Sequence, residues 1–229
     1  MLAGVGGYID AVSYLGLGHV FTAAMTGNTV LLALAVAEQD WGAVLRSAVA
    51  LIGFVGGVAL GQIVVGRFEA RVRWPRAVGA GLSIELALLV ALTTEWYLAG
   101  SPPSGWTRHL LIGLSALAMG TQSATARKLD VGAVSTTYVT GTLTSLTAGT
   151  VEWLRSSRQA RRQVQHNPKE TAQAVTVHGP VLPAIAWAVY AGGALVGGLI
   201  VLMVAQAAFP LAALFIASVA FVDWRVARG

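Results

Sequence analysis

The chain has 229 residues, 55% of them hydrophobic and 11% charged, with a net charge of +5 and no cysteine. A soluble domain carries about 25% charged residues, so a chain this apolar could not cover a water-facing surface with polar groups. Disulfides and cysteine-ligated metals are excluded. The excess of basic residues does not point to nucleic acid, because most Arg and Lys lie in short segments between apolar runs, where they report membrane orientation.

The apolar runs come in chain order. A membrane helix needs about 20 mostly apolar residues. Residues 1–17 are short for a span and lack the basic region of a signal peptide; a start site placed too late would account for that. Full-length runs follow at 41–66, 77–98, 106–126 and 181–204, with a shorter one at 207–222.

Two stretches break the pattern. Residues 19–37 open as HVFTAAMTGNTV and residues 131–154 open as VGAVSTTYVTGTLTSL, both rich in Thr and β-branched residues. That composition favours extended backbone. Each reaches a Thr-Gly step, Thr26-Gly27 and Thr140-Gly141, before helix-forming residues resume, and Thr is a good helix N-cap. Each stretch therefore reads as an extended segment leading into a half-helix.

The two halves match. Gly7 and Ala11 align with Gly120 and Ala124, and Gly18, Val20, Thr22, Thr26 and Gly27 align with Gly132, Val134, Thr136, Thr140 and Gly141. Gly56, Gly57 and Gly61 align with Gly192, Gly193 and Gly197.

Charge then selects a topology. If both Thr-Gly stretches cross the membrane, the basic residues divide between its two faces, against the positive-inside rule. If both are re-entrant, thirteen basic residues share one face, from Arg67 to Arg228, while Glu38 and Asp40 lie on the other. Only Arg46 and Arg108 dissent, near helix ends where they can snorkel. The expected fold is therefore an all-α polytopic membrane protein of two inverted repeats, 1–100 and 101–229. Each has three spanning helices plus one re-entrant extended-segment and half-helix element. Segments 67–76 and 155–179 and the C-terminus are placed in the cytoplasm, with 155–179 as a basic loop.

The segments GGYIDAVSYLGLGHVFTAAMTGNTVLL and AMGTQSATARKLDVGAVSTTYVTGTLTSL resemble the two signature regions of the YoaK family, small bacterial membrane proteins of unknown function. The resemblance covers both halves and implies a location in the bacterial inner (cytoplasmic) membrane, but no activity. Where the family reads Gly-x-Gln-Asn-Ala, this chain has Gly120-Thr121-Gln122-Ser123-Ala124. More distantly, Thr136-Thr137-Tyr138 is similar to strings in nucleobase and sulfate permeases, which are about twice as long, and fold-level analogy says little about substrate.

Inverted repeats with broken helices are a transporter pattern, and a half-helix end in mid-membrane presents unsatisfied N–H groups to a polar or anionic solute. The candidate substrate-binding residues are Thr26, Gly27, Asn28, Gln122, Tyr138, Thr140, Gly141 and Thr142; the threonines serve equally well as plain helix caps. Asp10 and Glu85, inside apolar runs, are candidates for ion or proton coupling, or for locking helices together. Arg127 marks the cytoplasmic edge, and His19 reads as a local hydrogen-bonding residue. Gly57-x-x-x-Gly61 and Gly193-x-x-x-Gly197 are close-packing motifs for helices of the same chain or of a second copy in a homodimer. No nucleophile–base pair, zinc motif or cofactor motif is visible, so no enzyme activity, cofactor or metal is expected. The expected function is a secondary transporter or channel for a small polar or anionic solute in the lipid bilayer, proton-coupled through the buried carboxyls. The alternative is a non-transporting membrane scaffold or partner subunit.

Overall fold

The computed structural model describes residues 2–66, 75–99, 103–128, 139–166 and 181–226. Every regular element among them is helical: α1 Leu2–Gly16, α2 Met25–Ala37, α3 Trp41–Gly66, α4 Pro75–Ala99, α5 Gly105–Lys128, α6 Val139–His166, α7 Val181–Val204 and α8 Ala208–Val226. A single 3₁₀ turn, Ala205–Ala207, separates α7 from α8.

Among the described residues, three stretches are long and apolar enough to cross a membrane: Trp41–Gly66, Gly79–Ala99 and Val181–Ser218. The last covers α7 and the start of α8 in one apolar run, broken only by the 3₁₀ turn. Residues 1–17 fold as the 15-residue α1. α5 has the expected length, but its last turns carry Thr121, Gln122, Ser123, Thr125 and Arg127, which lower its hydropathy.

Two boundaries differ from the sequence reading. The half-helix α2 starts at Met25, with Ala24 as the N-cap and no side-chain cap bond. α6 likewise starts at Val139. Both Thr-Gly steps thus lie inside a first helical turn, and the Thr26 hydroxyl does not cap α2. The basic segment assigned to a loop from residue 155 continues α6 as helix to His166. Arg, Gln and Ala, which dominate 155–166, are strong helix formers.

The end of α1 turns through Gly18 and His19, with φ of +97° and +60°. Glycine takes that conformation without strain, and a Cβ on Gly18 would also press on the Arg46 side chain at 3.1 Å. The chain then doubles back, so that Thr22 to Ala24 lie beside Asp10, in the middle of α1. From there α2 runs for 13 residues, about 20 Å at the helical rise. A short turn leads into α3, capped by Asp40 Oδ1 accepting from Ala43 N at 3.0 Å. Arg46, in the second turn of α3, donates to Gly18 O at 3.0 Å. The end of α1 and the start of α3 therefore lie at the same level.

The halves interlock. α3 packs most extensively on α5, α1 on α7, and α4 against both α5 and α8. α3 and α5 run parallel: a Cβ added to Gly53 would meet Gly113, one on Gly57 would meet the Leu117 carbonyl, and one on Gly61 would meet Ala124 and Thr121. α1 and α7 also run parallel, with Gly193 against the Gly4 carbonyl and Gly197 against the Tyr8 carbonyl. Matched residues make matched contacts. Gly7 abuts the Tyr190 carbonyl and Ala194 N, while Gly120 abuts the Phe54 carbonyl and Val58 N. The closest approaches of Gly57, Gly61, Gly193 and Gly197 are thus to α5 and α1 of the same chain.

Large apolar side chains such as Ile52, Val55, Leu199 and Met203 face outward, while Ser13, Thr22, Asn28, Glu85, Ser115 and Gln122 are buried. A bilayer-facing surface has this polarity. Trp41, Trp106 and Tyr97 are exposed at the start of α3, the start of α5 and the end of α4, in the manner of an interfacial aromatic belt.

Gly7→Val and Gly120→Val should each force helices apart, lowering stability by about 2 kcal/mol or more in detergent unfolding titrations. Gly192→Ala, where an added Cβ meets nothing within 4 Å, should leave stability unchanged or raise it slightly.

Candidate functional site

The site forms where α1, the 17–24 segment and α7 meet. Asp10 is 2% exposed. Its Oδ1 accepts from three successive backbone amides, Thr22 N at 3.0 Å, Ala23 N at 2.7 Å and Ala24 N at 3.2 Å. Its Oδ2 accepts from the Tyr190 hydroxyl at 2.7 Å. The amides at the head of a helix are its unsatisfied donors and the positive end of its dipole. Ala24 is the N-cap of α2 and Thr22 and Ala23 precede it, so the carboxylate supplied from α1 satisfies the N-cap amide and the two amides that lead into the helix.

A second chain of buried groups runs from the same segment. The Thr22 hydroxyl pairs with Ser13 Oγ at 2.9 Å and with Ser115 Oγ on α5 at 2.8 Å. Thr22 thus links α1 to α5 by its side chain while its amide binds Asp10. Sequence reasoning missed Ser13, Ser115 and Tyr190 as partners. Thr22 was visible as one of the matched residues, and Tyr190 as a lone hydroxyl in the apolar run of α7.

The residues singled out from sequence disperse. Thr26 is exposed, and Thr29 turns its hydroxyl to Met25 O within α2. Gly27 lies against the Phe21 ring. Asn28 is fully buried, donating through Nδ2 to Ser47 O at 3.2 Å, and its Oδ1 has no partner. Gly141 is exposed and Thr142 buried. Tyr138 and the Thr140 side chain lie outside the described residues. Gln122 joins Glu85, with Nε2 donating to Oε1 at 2.7 Å. Glu85 is fully buried between α4 and α5, and its Oε2 has no partner. His19 stands edge-on to Tyr14, with ring centroids 4.9 Å apart. Arg127 is exposed at the end of α5. Asp10 holds the amides of Thr22, Ala23 and Ala24, which lead into α2, and not those of the Thr26-Gly27-Asn28 step to which sequence reasoning assigned a solute.

A cavity of about 500 Å³ opens beside Asp10 and Tyr190. Tyr14 and Phe21, stacked at 5.1 Å, form one wall, and Leu195 and Leu199 of α7 form another. Among the described residues no group of three or more His, Cys, Asp or Glu side chains is placed to hold a metal ion.

A profile of the family described as "Protein of unknown function (DUF1275)" matches residues 1–222. The chain belongs to that family. The UPF0700 transmembrane protein YoaK of Bacillus subtilis (strain 168) is 43% identical over 141 residues, 61% of this chain and 60% of that protein's length. The similarity thus spans about three fifths of that curated relative. No solved structure matches. The resemblance seen in the two signature segments therefore holds, and the chain is an integral membrane protein of an uncharacterised family.

Asp10→Ala should free three amides inside the membrane and detach the head of α2, costing about 3 kcal/mol or more. Asp10→Asn retains a carbonyl acceptor, so it should fold with a smaller loss. A thermal unfolding series in detergent would rank wild type, Asn and Ala in that order; equal losses for both variants would contradict the capping role.

Proposed function

We propose that this protein is a secondary transporter or channel for a small polar solute, built as two inverted repeats, 1–100 and 101–229, with Asp10 at the centre of its site. The observation that carries the proposal is a buried carboxylate bound to three successive amides that lead into α2, level with the middle of α1 and beside a cavity. Irregular backbone at membrane depth is tolerated where it lines a protein-enclosed or water-filled space, and broken helices at such a place are a transporter pattern.

The repeat reading draws support from the reciprocal glycine contacts and from helix direction. α1 and α7 run one way, while α3 and α5 run the other, so matched helices are opposed. The re-entrant reading of α2 draws support from its two ends. It starts level with Asp10 and leads into α3, whose Arg46 touches Gly18 beyond the end of α1. On this reading Glu38, Asp40, Arg46 and Arg108 face outward from the cell. Arg127, the basic end of α6 and the C-terminus then face the cytoplasm of a bacterial inner membrane.

The halves are not equivalent in chemistry. In the register that pairs Gly7 with Gly120, Asp10 falls opposite Ser123, and Tyr190 falls opposite Phe54. One half carries the carboxylate–phenol pair and the other does not. Such asymmetry suits a single solute site in a two-fold scaffold, with Asp10 as its binding or coupling group. Glu85, lodged between α4 and α5, is a second coupling candidate.

Two experiments test these readings. The chain has no cysteine, so single cysteines report topology directly. Glu38→Cys and Arg108→Cys should react with an impermeant maleimide from outside intact cells, and Arg155→Cys only after lysis. Labelling of His19→Cys and Glu38→Cys from opposite sides, or of Arg155→Cys from outside together with Arg108→Cys, would overturn the re-entrant reading. In liposomes, uptake of amines, amino acids, nucleobases and small anions should exceed that of protein-free vesicles for at least one solute. Asp10→Asn should remove that uptake and Thr26→Val should keep it; no solute above background would overturn the transport reading.

A further inference from the structure

We infer that the cavity beside Asp10 binds an organic monocation, an ammonium group carried on a small apolar body; this deepens the proposed site and rests on Asp10 being its centre. The charge of the lining comes first. Among the residues that bound the cavity, Asp10 is the only acidic or basic one. The donors that face Asp10 are already engaged by it. Three backbone amides donate to Asp10 Oδ1, and the Tyr190 hydroxyl donates to Oδ2. A second anion would meet the charge of the Asp10 carboxylate, with no basic side chain in the lining to offset it. Oδ2 accepts one described bond, and a carboxylate oxygen has capacity for a further one.

The walls set the rest of the ligand. The Tyr14 and Phe21 rings border the cavity and lie 5.1 Å apart with a 22° interplanar angle. Aromatic faces attract ammonium groups, and the attraction grows where water is excluded. Leu15, Leu195, Leu199 and Leu202 complete the lining and are exposed on the outer apolar surface, where the cavity opens, so the remainder of the ligand is apolar. A volume of about 500 Å³ lies within the usual range for small-molecule sites. A bare metal ion does not fit this chemistry, since hard cations need several oxygen ligands and the polar side chains in the lining are Asp10, Tyr14 and Tyr190.

Three probes of similar size and different charge test the proposal: benzyltrimethylammonium, benzyl alcohol and benzoate, each titrated calorimetrically into detergent-solubilised full-length protein. Benzyltrimethylammonium should bind, with the other two at least about tenfold weaker. Asp10→Asn should weaken the cation by a further tenfold or so, with no effect on benzyl alcohol. Phe21→Leu leaves Asp10 and its amides in place and should weaken only the cation, which guards against a folding defect in the Asp10 variant. Benzoate binding as tightly as the cation, or cation binding indifferent to both substitutions, would overturn the inference. The transport reading fails separately. Cation binding without uptake of any solute leaves the site intact and removes transport; uptake of a neutral or anionic solute without cation binding keeps transport and removes the cation.

Discussion

The fold depends on one electrostatic contact inside the membrane. A backbone donor buried away from water costs several kcal/mol when it is left unsatisfied. Asp10 meets three such donors, on the segment that leads into α2, with a single oxygen. The cost of burying the carboxylate and the cost of burying those amides offset one another. This pairing holds the start of α2 level with the middle of α1.

Around this contact the packing is done by small residues. Gly7, Gly57, Gly120, Gly193 and Gly197 each bring a helix against the carbonyl of a neighbour, close enough that a Cβ would collide with backbone. Apolar side chains gain little by leaving lipid for protein, so close backbone approach and buried hydrogen bonds supply the cohesion. The Ser13–Thr22–Ser115 chain is the polar part of that cohesion, joining α1, the extended segment and α5. Tyr8 adds a bond to the Ala208 carbonyl at 2.5 Å, beside the break between α7 and α8.

Much of this was legible in the sequence, for physical reasons. Hydropathy located the helices, because the bilayer imposes a length and a composition on each run. The first Thr-rich stretch announced the non-helical segment before α2, because β-branched residues disfavour helix; the opening of the second, residues 131–138, lies outside the described residues. The paired glycines announced the matched contacts. The partners of the polar groups were not legible. Asp10 stands in line as a lone acid, and the groups that satisfy it are backbone amides, which have no letter in a sequence. Tyr190 is its partner from 180 residues away. The first Thr-Gly step misled in the opposite direction: threonine suits a cap, but α2 already begins at Met25, so Thr26 lies exposed within its first turn. At 155–166 charge suggested a loop, whereas arginine and glutamine favour helix, and the helix prevailed.

The pairing of α1 with α7 has a consequence for how the protein is made. α1 finds its main partner only when α7 is complete, at Val204. At about 5–20 residues per second, α1 waits on the order of 10–40 s. It waits as a short helix carrying an acidic residue that no neighbouring helix yet covers. During that interval the amides of Thr22 to Ala24, a few residues further along the chain, are already made and able to satisfy Asp10. The contact that later centres the cavity can thus form at once and hold the first hairpin together until the second half arrives.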